Sequence, residues 1–133
     1  MSIRFMFALP RYPTRKKFRP FAAILASIIA LPAFADTRTG EITFVRDVDT
    51  LVLNETPIRL NGVDGPEMNT PEGQAARLWM IDYLSGKTLH CELSGGRSHD
   101  RYIGICFANG HDIGAAAIRA GHALDCQKFS NGR

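Results

Sequence analysis

Acidic residues gather in one window of this 133-residue chain. Asp47, Asp49, Asp64 and Glu67 fall within residues 47–67, and Arg59 sits among them. Carboxylate oxygens are the ligands that a hard cation such as calcium takes. The planar fork of an arginine matches the oxygens of a phosphate. These residue types together point to cation-assisted chemistry on a phosphate. Taken alone the signal is weak, because an aspartate in a turn and an arginine on a strand face are most often solvated structural residues.

Positioning those groups requires elements that bring distant residues to one place. Residues 41–46 (EITFVR) alternate as a strand does, 50–53 (TLVL) form a second strand, and Asn54-Glu55 make a hairpin tip before a third strand over 56–63. Ile58 and Leu60 face the core in that third strand, so the period of two turns Arg59 to the opposite face. A meander of this kind brings Asp49, at the start of the second strand, to the same sheet edge as Asp64 and Glu67 at the end of the third. Thr70-Pro71 opens a helix with a capping hydroxyl and a proline at the first helical position, and Glu72 complements its positive end. Ala76, Met80, Tyr83 and Leu84 fall on one stripe with Trp79 beside it, and Gly86 ends the helix.

Residues 87–93 (KTLHCEL) alternate strictly, a Gly/Ser-rich loop covers 94–99, and a fifth strand covers 101–108. Asn109-Gly110 is a turn, and a second short helix starts near Asp112 and ends at Gly121. The expected fold class is α+β, mainly β: a five-stranded closed barrel of the oligonucleotide/oligosaccharide-binding type with two short helices. An α+β sandwich is the alternative that the pattern leaves open.

The motifs sharpen this reading. Val45-Arg46-Asp47-Val48-Asp49-Thr50, followed by Ile58-Arg59-Leu60-Asn61-Gly62-Val63-Asp64-Gly65-Pro66-Glu67, resembles the paired signatures of the staphylococcal-nuclease-like (thermonuclease) family, V-x-D-G-D-T and I-R-L-x-G-[IV]-D-x-P-E. Gly73-Gln74-Ala75-Ala76, Asp100-Arg101-Tyr102, Asn109-Gly110 and Ile118-Arg119-Ala120-Gly121-His122-Ala123 also match, in order, so the resemblance covers residues 40–124. It implies the same five-stranded barrel with helices. It also implies that Asp49 and Asp64 are calcium ligands, with the backbone carbonyl of Gly65 completing the protein's set. Arg59 matches the first catalytic arginine, and Glu67 the glutamate that activates the attacking water. The implied substrate is DNA or RNA, cut with little sequence preference.

Three departures set the alternative, a degenerate domain that binds nucleic acid or another partner without cleavage. The family reads D-[KR]-Y-G-R, whereas Asp100-Arg101-Tyr102 runs directly into Ile103-Gly104-Ile105, so the second arginine is missing. Arg101 is the candidate stand-in, with Arg97 nearby, and neither holds the motif position. Val48 replaces the glycine of D-G-D-T, a β-branched residue that could shift Asp49. The sequence also ends at Arg133, where the family continues into another helix, so residues 36–133 are expected to form a domain shortened at its C-terminus.

The first 35 residues read as a cleavable export signal. Arg4, Arg11, Arg15, Lys16, Lys17 and Arg19 form a basic region, Phe21 to Leu31 an apolar stretch, and Ala33-Phe34-Ala35 a small-x-small cleavage pattern. The apolar stretch falls well short of the roughly 20 residues a bilayer needs. The expectation is therefore a periplasmic or secreted protein with no stable membrane association after cleavage. The net charge of +3 belongs to this segment: residues 36–133 hold 10 Lys+Arg against 13 Asp+Glu. A broad basic field for polyanions is thereby excluded, and phosphate binding must rest on local arginines or a bound cation.

Three cysteines suit one disulfide and one free thiol in an exported domain. Cys91–Cys106 and Cys106–Cys126 both remain open, because the first pairing depends on strand register. No CxxC spacing is present, so zinc is not expected, and His90, His99, His111 and His122 read as surface or structural residues.

Overall fold

A computed structural model of the protein describes residues 36–132. The export signal expected over 1–35 lies outside the described residues. The chain runs β1 (Asp36–Asp47), β2 (Thr50–Leu53), β3 (Thr56–Leu60), β4 (Val63–Asp64), α1 (Pro71–Leu84), β5 (Thr88–Ser98), β6 (Arg101–Ala108), β7 (His111–Asp112), α2 (Ile113–Arg119), β8 (Leu124–Asp125) and α3 (Gln127–Ser130). Among the described residues the architecture is mainly β with three helices, within the expected α+β class. Among the described residues no helix is long and apolar enough to cross a membrane.

The strands join in the order β3-β2-β1-β5-β6-β7, and β3 also pairs parallel with β6, so the sheet closes into a ring. β1 carries the closure by pairing with β5 over residues 36–41 and with β2 over 42–47, with register shifts in the second half. Asn54 and Glu55 both take positive φ, 43° and 68°, as the favoured two-residue hairpin turn requires. Inside the ring lie Val45, Leu51, Leu53, Ile58, Leu60, Leu89 and Leu93, all nearly inaccessible. α1 covers one end through Gly73, Ala76, Met80 and Leu84, spaced as one helical face. Tyr83, expected on that stripe, stacks on Trp79 at the edge and stays half-buried.

Several boundaries differ from expectation. The third strand breaks at Asn61-Gly62, and Val63–Asp64 form a separate short strand paired with Leu124–Asp125. β5 continues through the Gly/Ser-rich stretch to Ser98, because Arg97 and Ser98 pair with Tyr102 and Arg101 and leave only His99-Asp100 as the hairpin tip. Among the described residues three helices are present where two were expected. The third, a single turn, rests on the Asn61-Gly62 break through Cys126 N–H to the Gly62 carbonyl at 2.9 Å and Asn61 Nδ2 to the Phe129 carbonyl at 2.9 Å.

Register settles the cysteines. Cys91 and Cys106 are direct cross-strand partners and form a buried disulfide, leaving Cys126 as the free thiol.

Candidate active site

The centre begins where β1 turns into β2. Asp47 Oδ1 accepts the backbone N–H of Asp49 at 3.1 Å, an Asx turn that fixes Val48 and aims the Asp49 side chain inward. Asp49 is 6% exposed, so its charge must be compensated. Its Oδ1 accepts from Arg59 NH1 at 2.7 Å and from the Thr50 hydroxyl at 2.9 Å, and its Oδ2 accepts the Gly65 N–H at 3.1 Å. Arg59 also donates to the Val63 carbonyl at 3.3 Å. Thr50 and Arg59 are register partners on β2 and β3, which is why one carboxylate reaches both.

Electrostatics follow from this arrangement. Burial pushes the Asp47 carboxyl up to about 6, helped by its hydrogen bond to the Asp49 carboxylate and by that group's charge. Burial works against Asp49 as well. There it is outweighed by hydrogen bonds from Asp47, the Gly65 N–H and Thr50 and by the charge of Arg59, which together hold Asp49 below the usual carboxylate range. The two acids thus divide their roles: Asp49 keeps the charge while Asp47 holds a proton more readily.

Val48, expected to disturb Asp49, is a buried core residue. A Cβ built on Gly65 would lie 2.4 Å from Val48 Cγ1. The glycine missing from the first motif therefore reappears in the second, and Val48 fills the space that a side chain at 65 would need. The exchange keeps the Gly65 N–H on Asp49.

Asp64 and Glu67 stand differently. The Gly65 bond brings residue 64 beside Asp49, yet the Asp64 side chain is exposed. The Glu67 backbone is fastened to the start of α1, where its carbonyl accepts from the Thr70 hydroxyl at 2.7 Å and the Thr70 N–H at 3.0 Å. Gly73 lets the two segments approach, since a Cβ there would lie 2.0 Å from the Glu67 carbonyl oxygen. The Glu67 side chain itself is exposed and takes none of the bonds around Asp49. Beside Arg59 opens a cleft of about 210 Å³, lined also by Asp64, Ser98, Ile103, Cys126 and Phe129.

On β6 the register partner of Arg59 is Ile103, and Leu60 pairs with Gly104, where a Cβ would lie 2.8 Å from the Glu92 carbonyl oxygen. The strand next to Arg59 therefore offers an apolar side chain and then no side chain. Arg101, two residues earlier on the Ile103 face, donates NH1 to the Thr50 hydroxyl at 2.9 Å. Its Nε and NH2 bind the Ser98 carbonyl at 3.2 Å and hydroxyl at 3.1 Å. Arg97 lies over the Tyr102 ring at 4.2 Å instead.

Asp49, Arg59 and Arg101 thus belong to one bonded network through Thr50, whereas Glu67 does not. The part played by Thr50 was missed from sequence; the D-x-D-T spacing was its only signal.

The donor set suits a hard cation in kind: Asp49 and Asp64 carboxylates and backbone carbonyls are oxygen ligands. Asp49 Oδ2 accepts the Gly65 backbone N–H. Among the described residues no three Asp, Glu, His or Cys side chains converge, so carbonyls and water would have to supply most of the coordination.

No family model matches the chain. It is similar to two probable staphylococcal-like nucleases of Oryza sativa subsp. japonica, each 27% identical over 75 residues that make up 56% of this chain and 20% of the relative. It is also similar to the succinoglycan biosynthesis protein ExoI of Rhizobium meliloti, 26% identical over 121 residues, covering 80% of this chain and 63% of that protein. In each case the chain spans less than two thirds of the relative's own length. By sequence, a 75-residue stretch of this chain is similar to staphylococcal-like nucleases.

Proposed function

We propose that the protein is an exported, calcium-dependent nuclease that hydrolyses phosphodiester bonds of DNA or RNA with little sequence preference, on a barrel of the oligonucleotide/oligosaccharide-binding type. The observation that carries this reading is the Asp49–Arg59 pair at 2.7 Å, with the Gly65 N–H on the second Asp49 oxygen. It sets an arginine and a charged carboxylate together at the mouth of a cleft. Two of the five N–H donors of Arg59 are used by Asp49 and Val63, which fixes the guanidinium and leaves the others for phosphoryl oxygens. Glu67, exposed on its anchored loop, takes the proton of the attacking water. Calcium held by Asp49, Asp64 and the Gly65 carbonyl would supply charge stabilisation at the phosphoryl group. Export is supported by the signal-like residues 1–35 and by a disulfide, which persists in oxidising compartments.

A second reading, binding without cleavage, is favoured by one observation: Ile103 stands beside Arg59 where a second positive charge would assist. One assay separates the two. Residues 36–133 are incubated with denatured DNA or RNA in calcium or in EGTA. Calcium-dependent cleavage is expected. Retention of nucleic acid in a gel shift with no cleavage in either buffer would replace the first reading with the second.

A further inference from the structure

We infer that Arg101 is a positioning residue that fixes the direction of the Thr50 hydroxyl and, through it, the Asp49 carboxylate. The inference rests on reading the Asp49–Arg59 centre as the nuclease site. A hydroxyl has one proton to donate and lone pairs to accept with. Arg101 NH1 donates to Thr50 Oγ1 at 2.9 Å, so that oxygen must send its own proton elsewhere. It sends it to Asp49 Oδ1, also at 2.9 Å. Thr50 is 1% exposed, which keeps bulk water from either role, and the Asp47 carboxyl is the other acceptor near its hydroxyl.

Arg101 is itself held at both remaining nitrogens by Ser98, across the two-residue tip of the β5–β6 hairpin. The hairpin tip is thus linked to the carboxylate in a fixed sequence, Ser98 to Arg101 to Thr50 to Asp49. The far side of Asp49 Oδ1 is held by Arg59. Two arginines therefore act on one oxygen, Arg59 directly and Arg101 through a hydroxyl. Arg101 does not replace the missing second arginine at the phosphate. Its positive charge serves the carboxylate.

The variants are Arg101→Ala, Arg101→Lys, Thr50→Val and the Arg101→Ala/Thr50→Val pair, each checked for folding by circular dichroism. The first readout is proton NMR without calcium or substrate. A buried hydroxyl proton held from both sides gives a slowly exchanging Thr50 resonance in the parent, and Arg101→Ala abolishes it. The second readout is calcium affinity by calorimetry. Loss of an orienting partner lowers metal affinity by about 10-fold or more. Arg101→Ala and Thr50→Val should each do so, and the pair no further, because they break one relay. Arg101→Lys, which keeps the charge and loses the fork, should behave like Arg101→Ala.

A Thr50 hydroxyl resonance that survives Arg101→Ala would overturn the inference. So would single effects that multiply in the pair. A parent that neither binds calcium nor cuts nucleic acid would instead sink the nuclease reading, and the hydroxyl signal would still decide what Arg101 does.

Discussion

The two halves of the centre are built in opposite ways. Thr50 and Arg59 stand on paired strands and Asp49 in the turn that leads into β2, all three buried or half-buried, and each is held by at least two side-chain hydrogen bonds. Asp64, the last residue of β4, and Glu67, on the connection from β4 to α1, have exposed side chains, and only their backbone is fastened. The sheet half pre-organises charge at a cost already met in folding. The exposed half leaves its acids solvated, able to meet a cation or a water as it enters. A charge that must be aimed is buried and held by hydrogen bonds, and a charge that must exchange with solvent is left exposed.

The sharpest way to break this contrast is to disable one half without disturbing the other. Glu67→Gln should lower the initial rate of DNA cleavage by about 10²–10⁴-fold and leave the thermal midpoint unchanged. A clear drop in melting temperature would show that Glu67 belongs to the packed half after all.

The converse substitution acts on the ring. The Cys91–Cys106 disulfide is buried between β5 and β6, which carry the ring toward its closure on β3. Replacing both cysteines by serine should cost about 2–5 kcal/mol in urea unfolding, and cleavage well below the melt should change little. Lost activity at full foldedness would tie the disulfide to the site directly.

The halves meet at Val48 and Gly65. Gly65→Ala places a methyl against Val48 Cγ1 and should destabilise by about 1–3 kcal/mol. Combined with Val48→Ala it should cost less than the two single changes added. Strict additivity in a double-mutant cycle would mean that the two positions do not share that space.

The smallest effect concerns Asp47. Its folded pKa, about 6, lies above its ordinary value of 3.8, so its proton favours the folded state. That contribution is complete below about pH 4 and lost as pH rises through 6. Asp49, held low, works oppositely: its contribution is lost as the pH falls below the usual carboxylate range. Asp47→Asn should remove about 1 kcal/mol of the stability decline between pH 4 and 6, after allowance for solvent screening. Urea midpoints in EGTA across that range check it, and an unchanged slope would contradict it.

Local patterns made most of the fold legible. Strand alternation sets Leu89, Cys91 and Leu93 on one face, which the structure shows to be the buried one, and Thr70-Pro71 marks the start of α1, as found. Helical spacing identified Ala76, Met80 and Leu84. What escaped depends on contacts between distant residues. The parallel β3–β6 pairing sets Ile103 beside Arg59 and has no local signature. Val48 departs from its motif, and its partner Gly65, 16 residues after Asp49, enters only through Cβ geometry. Thr50 and Arg101 are 51 residues apart, so their bond could not be read from spacing. The break at Asn61-Gly62 likewise needed the C-terminal segment that rests on it.

The central claim is that Arg59, held by Asp49, serves a calcium-dependent cut. Arg59→Lys keeps a positive partner for Asp49 and removes the planar fork. The direct measurement is the initial rate of denatured-DNA cleavage by the parent and by Arg59→Lys, each in calcium and in EGTA. Cleavage by the parent only in calcium, falling by about 10²–10³-fold in Arg59→Lys, is the predicted result. An Arg59→Lys protein that cuts as fast as its parent, or a parent indifferent to EGTA, would contradict it.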